Sequence, residues 1–260
     1  MIRIGPSGIG GANEAEINLE SFSKKGLKAA EIDFTYSVYM NKEQALKIGE
    51  KASKLGIALS INAPYFINLN SEDKVKREAS KKRILKCCEI GSFLRVKKVV
   101  FHAGFYGKMK KGEEERGKEK AFENIKEAIL EMQKEIKAKK WAVELAPELM
   151  GKRNVFGSID EISRLVKETG CSFCIDFAHV LARYGEHKFE ELKSAFPQEK
   201  WQCHFSGIVY GENGERHHRD IKKEEWKELF ENLPKNKEIN IICESPDRIR
   251  DAEEGLMLMR

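Results

Sequence analysis

Ser172-Phe173-Cys174-Ile175-Asp176-Phe177-Ala178-His179 is a short β-like apolar run that meets a carboxylate and passes straight into a new amphipathic stretch. The same rhythm recurs along the chain. Eight β-like runs can be read, at Ile2–Ile4, Ala29–Asp33, Ile57–Ile61, Lys98–Phe101, Trp141–Leu145, Ser172–Ile175, Trp201–His204 and Ile239–Cys243. Charged amphipathic segments separate them, with helix-start signals at Asn41 ahead of Glu43, at Ser71 ahead of Glu72 and Asp73, and at Ser158 ahead of Asp160 and Glu161. Such side chains cap the unpaired N–H groups of a first turn. Strand–helix alternation argues for a parallel sheet. Eight βα units in 260 residues match an α/β fold of the closed (β/α)8 TIM-barrel type in both number and length. A doubly wound open sheet is the alternative, because Gly5-Pro6-Ser7-Gly8-Ile9-Gly10-Gly11 loosely resembles a phosphate loop, although its spacing departs from GxGxxG. Without a linker or a longer repeat, a single domain over residues 1–260 is expected.

Composition narrows the class of protein. Residues of hydrophobic type make up 41% and charged residues 34%, enough apolar chain for a substantial core. No apolar stretch approaches the roughly 18 to 20 residues of a membrane span, and Met1-Ile2-Arg3-Ile4-Gly5 has no signal-peptide character. A cytoplasmic location follows as the expectation. The six cysteines fit a reducing compartment, four of them lying in apolar runs, and Cys171-Ser172-Phe173-Cys174 reads as core thiols. The net charge of +5 is mild and permits an anionic partner without identifying one.

In a βα barrel the residues that follow the strands converge on one mouth. From the third run onward these are Asn62, His102, Glu144, Asp176, His204 and Glu244, and five of the six are metal-ligand types. Of the six histidines, only His187 lies away from a strand exit. Asp176 and His179 stand three apart, and Glu215 and His217 two apart. Neutral imidazole and carboxylate suit zinc, manganese or iron(II). Taken singly, each residue also has a structural reading as a cap, a rim ion pair or a solvated side chain.

The strings Pro64-Tyr65-Phe66-Ile67-Asn68-Leu69, Val100-Phe101-His102-Ala103-Gly104, Cys174-Ile175-Asp176-Phe177-Ala178-His179 and Glu215-Arg216-His217-His218 resemble the endonuclease IV family of apurinic/apyrimidinic endonucleases. The resemblance runs from Gly5 through Glu244. It implies a xylose isomerase-like TIM barrel with two or three zinc ions, manganese being an alternative, and double-stranded DNA with abasic sites as partner. By the same resemblance Glu144 bridges two metals, His102 binds the first, and Asp176, His204 and Glu244 bind the second. His179, Glu215 and His217 bind the third. The resemblance also puts Tyr65 and Phe66 in the loop that in the family enters DNA at the lesion. By charge alone, Arg216 and Arg219, which flank the histidine pair, are candidate phosphate contacts. The basic run Lys108-Met109-Lys110-Lys111 is placed on the same side.

The chain departs from that family in three places. Asn62 stands where the family has a histidine ligand, and a neutral amide oxygen is a poor zinc ligand. Glu215 replaces an aspartate. The segment after His218 lacks a glycine-rich continuation, and the loop after the second strand is short. The expected activity is hydrolysis of the phosphodiester 5′ to an abasic site. The alternatives are a metal-dependent sugar isomerase or epimerase on the same barrel, and a non-catalytic scaffold.

Overall fold

The computed structural model describes residues 1–108 and 112–259, so Met109, Lys110 and Lys111 of the basic run lie outside the described residues. The eight expected strands form as β1 (Ile2–Pro6), β2 (Ala29–Asp33), β3 (Ala58–Asn62), β4 (Lys98–Phe101), β5 (Glu144–Pro147), β6 (Cys174–Asp176), β7 (Lys200–Phe205) and β10 (Glu238–Cys243). An antiparallel hairpin of β8 (Gly207–Gly211) and β9 (Gly214–Arg219) is inserted after β7. The barrel strands pair in parallel in two halves, ordered β1-β10-β7-β6 and β2-β3-β4-β5. Parallel bridges of Ser7 with Glu31 and of Glu148 with Cys174 join the halves at both seams, closing the barrel. Gly5 makes the first seam possible, since a Cβ there would sit 1.6 Å from the Ala29 carbonyl oxygen.

Helices α1 (Ala15–Lys24), α2 (Lys42–Leu55), α3 (Lys74–Leu94), α4 (Glu114–Ala138), α5 (Ile159–Thr169), α6 (Phe177–Tyr184), α7 (Phe189–Ala195), α8 (Lys223–Asn232) and α9 (Arg248–Leu258) surround the sheet. Asn41 and Ser158 begin α2 and α5 with capping boxes closed by Gln44 and Glu161. Each cap is worth about 1 kcal/mol. At α3 the capping residue is Asp73 rather than Ser71, its carboxylate accepting from the Val75 N–H at 2.8 Å. The buried face of α5, Ile159, Ile162, Leu165 and Val166, follows helical spacing onto the outer surface of the sheet. The apolar core thus lies between sheet and helices, and all six cysteines are buried free thiols. No helix among the described residues is long and apolar enough to cross a membrane.

Inside the barrel the filling is partly polar, with Glu31, Ser60, Gln202 and His204 all buried. Gln202 Nε2 donates to Ser60 Oγ at 3.0 Å, and Ser60 Oγ donates to Glu31 Oε2 at 2.6 Å. The chief departure from the expected strands is β5, which begins at Glu144 and ends at Pro147. Proline has no N–H for a ladder and is normally read as a strand breaker. Here Pro147 is the last ladder residue, opposite Phe101. The strand exit is therefore Glu148.

Candidate metal centre

Each donor at the mouth is placed by a strand end. Asn62 closes β3, His102 follows β4, Glu148 follows β5, Asp176 closes β6, His204 is the penultimate residue of β7, and Glu244 follows β10. Parallel strands in a closed barrel bring these ends together. Donor atoms of Glu148, Asp176, His204 and Glu244 all lie within 4.8 Å of one another, as do those of His179, Glu215 and His218. Glu148 stands at the centre. Its side chain is 1% exposed, with His179 Nδ1 at 3.0 Å, His102 Nε2 at 3.3 Å and His204 Nδ1 at 3.6 Å. Asn62 Nδ2 donates to Glu244 Oε1 at 3.3 Å.

Asp176 divides its carboxylate between two tasks. Oδ1 caps α6 by accepting the His179 N–H at 2.8 Å, which presents the His179 ring to the mouth. Oδ2 is buried without a hydrogen-bond partner. On its other side His179 Nε2 lies 3.3 Å from Glu215 Oε2. His218 belongs to this group, with Nδ1 2.7 Å from Ser206 Oγ, so the hydroxyl orients the ring.

The centre concentrates buried carboxylates and imidazoles. Both oxygens of Glu148, Asp176 Oδ2 and both ring nitrogens of His204 are buried with no hydrogen-bond partner. Burial drives the Glu244 carboxyl well above the ordinary range, and Glu148, Asp176 and Glu31 add to it against the pull of His204. Burial also acts to raise Glu148, but the imidazoles of His102, His204 and His179 prevail and hold it well below that range. Against burial, Asp176, Glu148 and Glu215 push the His179 imidazole up to about 10. Buried carboxylates need a compensating cation. The raised His179 and His204 imidazoles favour such positive charge, and transition-metal ions suit the same oxygen and nitrogen donors. The donor set fits such ions.

The geometry corrects two assignments made from sequence. Glu144 is exposed and opens β5, opposite Lys98, at the far end of the barrel; Glu148 is the β5 carboxylate that stands among the mouth imidazoles. His217 is exposed and lies outside the cluster that His218 joins. The reason is a bulge in the hairpin, where Val209 pairs with His217 but Tyr210 pairs with Glu215, leaving Arg216 as the extra residue. An extra residue breaks the alternation of faces, so Glu215 and His218 share a side. Arg216 is exposed, while Arg219 is held by Glu225 at 2.6 and 2.9 Å.

One buried carboxylate went unread in the sequence. Glu31 Oε1 lies 2.8 Å from His204 Nε2 behind the cluster, while His204 Nδ1 faces Glu244 at 3.3 Å. An acid inside the apolar run Ala29-Ala30-Glu31-Ile32 was its signal. Tyr65 and Phe66 stand at the rim, 58% and 62% exposed. The Tyr65 ring lies 5.9 Å from that of His102, and Phe66 lies 6.1 Å from Tyr36.

Known proteins share this sequence pattern and architecture. The chain is 32% identical to the uncharacterized protein MJ0133 of Methanocaldococcus jannaschii, over 97% of this chain and 94% of that one. It is 25% identical to the probable endonuclease 4 of Mycobacterium marinum over 82% and 81% of the two chains. Among solved structures, endonuclease IV from Thermus thermophilus superposes with a TM-score of 0.71 at 19% identity, covering 99% of this chain and 97% of that one. D-Psicose 3-epimerase from Clostridium cellulolyticum superposes with a TM-score of 0.70 at 16% identity, over 99% and 98%. At such identities the superpositions establish the fold alone. The pattern of one family matches residues 19–260, and the chain belongs to it: the xylose isomerase-like TIM barrel family.

Proposed function

We propose that the protein is a metal-dependent phosphodiesterase that cleaves double-stranded DNA 5′ to abasic sites. The observation that carries this reading is the second donor cluster, His179, Glu215 and His218, standing beside the first. Glu148, Asp176, His204 and Glu244 would hold one zinc or manganese ion, and His179, Glu215 and His218 another. His102 with Glu148 offers a third position, weak because Asn62 is an amide. Ions in these positions supply Lewis-acid activation of water and neutralise charge on the phosphate and the leaving oxygen.

The chain's own residues account for substrate placement. Glu148 lies within 3.6 Å of three imidazoles, so it ties the donor groups into one unit. Asp176, capping α6, sets the direction of His179. Tyr65 and Phe66 offer exposed aromatic faces at the rim, suited to stacking where a base is missing. The exposed Arg216 supplies a phosphate contact beside the second cluster.

A sugar epimerase is the second reading. The cluster of Glu148, Asp176, His204 and Glu244 alone provides one metal position with flanking carboxylates for proton transfer. Such chemistry leaves His179, Glu215 and His218 without a task. Elemental analysis of the purified protein, with nicking of a duplex bearing one tetrahydrofuran abasic analogue, separates the two. Two or more ions with EDTA-sensitive incision 5′ to the analogue support the phosphodiesterase. A single ion, no incision, and C3 epimerisation of a ketohexose would replace it with the epimerase.

A further inference from the structure

At the end of the barrel opposite the metal centre, a cavity of about 320 Å³ opens beneath the strand starts, lined by Arg3, Lys97, Lys98 and Lys200 with Glu238 as its sole acidic wall residue among the described residues. Lys98 begins β4 and His102 follows that strand's end. At about 3.3 Å per residue the two sites are roughly 13 Å apart along it. Nothing in the metal centre makes use of this cavity.

The charges here do not cancel. Arg3 is held by Glu238 at 2.5 Å and by Asn240 at 3.3 Å, and Lys200 Nζ lies 3.6 Å from the second Glu238 oxygen. Lys98 is 9% exposed, and its ammonium makes one hydrogen bond, to the Lys200 carbonyl oxygen at 3.3 Å. Its charge also sits 5.3 Å from the centre of the Phe173 ring. Among the described residues neither Lys97 nor Lys98 forms an ion pair with a carboxylate. Glu144, across the ladder from Lys98, attracts it only from a distance. The C-termini of α2 and α3 reach the rim, and each contributes about half a negative charge. That offsets part of the excess at the rim and leaves the buried ammonium on the barrel wall without a counterion. A buried ammonium is costly unless a partner completes its hydrogen bonds.

We propose that this cavity binds the phosphomonoester group of a small organic phosphate, no larger than a mononucleotide. Two unpaired lysines match the charge of about −2 and the multiple acceptor oxygens of such a group. Ile57, Leu59 and Leu94 form an apolar wall for the organic portion. The volume lies at the lower end of the range for small-molecule sites, which sets the size limit.

The test is calorimetric titration of AMP into the metal-loaded protein and into its Lys98→Met and Lys97→Glu variants. Wild type should bind one equivalent that survives addition of EDTA. Lys98→Met should abolish that equivalent, and Lys97→Glu, an exposed change that leaves the core untouched, should weaken it at least tenfold. Both variants should keep wild-type nicking of abasic DNA. Binding lost on chelation, or equal in wild type and Lys97→Glu, overturns the proposal. A separate titration with inorganic phosphate should bind at least tenfold more weakly than AMP. Equal affinity would remove the organic portion from the assignment.

Discussion

His204 is held from behind by Glu31, with Nε2 2.8 Å from the carboxylate, while Nδ1 faces Glu244 at 3.3 Å. The carboxylate charge beside Nε2 favours a proton on that nitrogen, and in that tautomer the Nδ1 lone pair would be free to meet a cation. Orienting partners of this kind set the tautomer of a metal-binding histidine and raise its basicity. Glu31→Gln should therefore weaken metal binding by about 10- to 100-fold, measured by competition with a chromogenic chelator. Unchanged affinity would make Glu31 a packing residue only.

Glu148 and Glu144 lie four residues apart on and just beyond one strand, at opposite ends of the barrel. Replacing the buried Glu148 by Gln should abolish nicking and reduce bound metal by at least one ion. Glu144→Gln should change neither. Elemental analysis and a nicking assay on the two variants check the pair, and the reverse pattern would restore Glu144 as the bridging carboxylate.

The same comparison applies within the His217-His218 doublet. His218→Ala should cost one ion and lower cleavage at least 100-fold, whereas His217→Ala, an exposed change, should stay within about twofold of wild type. Equal losses would mean that the hairpin bulge does not persist in solution.

Tyr65 and Phe66 are exposed aromatics at the rim and touch no donor of either cluster by hydrogen bond. Stacking of a base on an aromatic side chain is worth about 1–3 kcal/mol. Tyr65→Ala and Phe66→Ala should each weaken binding to abasic duplex by about 5- to 150-fold, read by fluorescence anisotropy, with metal content unchanged. Loss of metal together with DNA affinity would point to a structural role at the rim.

Burial holds the Lys98 ammonium below the ordinary lysine range, with Glu144 pulling it back upward. A base with a depressed folded-state pKa carries its full penalty below that pKa. The penalty then shrinks as pH rises through the folded value toward the unfolded one, about 10.4. In phosphate-free buffer, Lys98→Met should melt higher than wild type near neutrality, and the gap should close toward alkaline pH. Thermal denaturation between about pH 7 and 10 reads this, and a variant less stable throughout would mean that the ammonium is well satisfied.

The positions legible in sequence share a local cause. His102, Asp176, His204 and Glu244 terminate or follow unambiguous apolar runs, so knowing where a strand ends was enough to place them at the mouth. Asn41 and Ser158 were legible for the same reason, because a capping side chain acts within three residues of itself. Glu148 was missed because the fifth apolar run reads as Trp141–Leu145, whereas the ladder begins at Glu144 and runs on to Pro147, whose missing N–H costs nothing at the last position. Glu31 was passed over because a carboxylate in an apolar run is charged against its surroundings until His204 and Ser60, distant in sequence, arrive beside it.

By itself the sequence determined the order of the eight barrel strands, their alternation with helices and the gathering of histidines and carboxylates at the strand exits, but not the β8–β9 hairpin. These follow from periodicity and length, which are local properties of the chain. Only the tertiary structure decided between Glu144 and Glu148 and between His217 and His218. A side chain's face and depth depend on ladder register and on a single bulged residue. The register of β5 is settled by pairing with the distant β4, and the bulge by pairing within the β8–β9 hairpin; a shift of one residue turns a side chain to the other face.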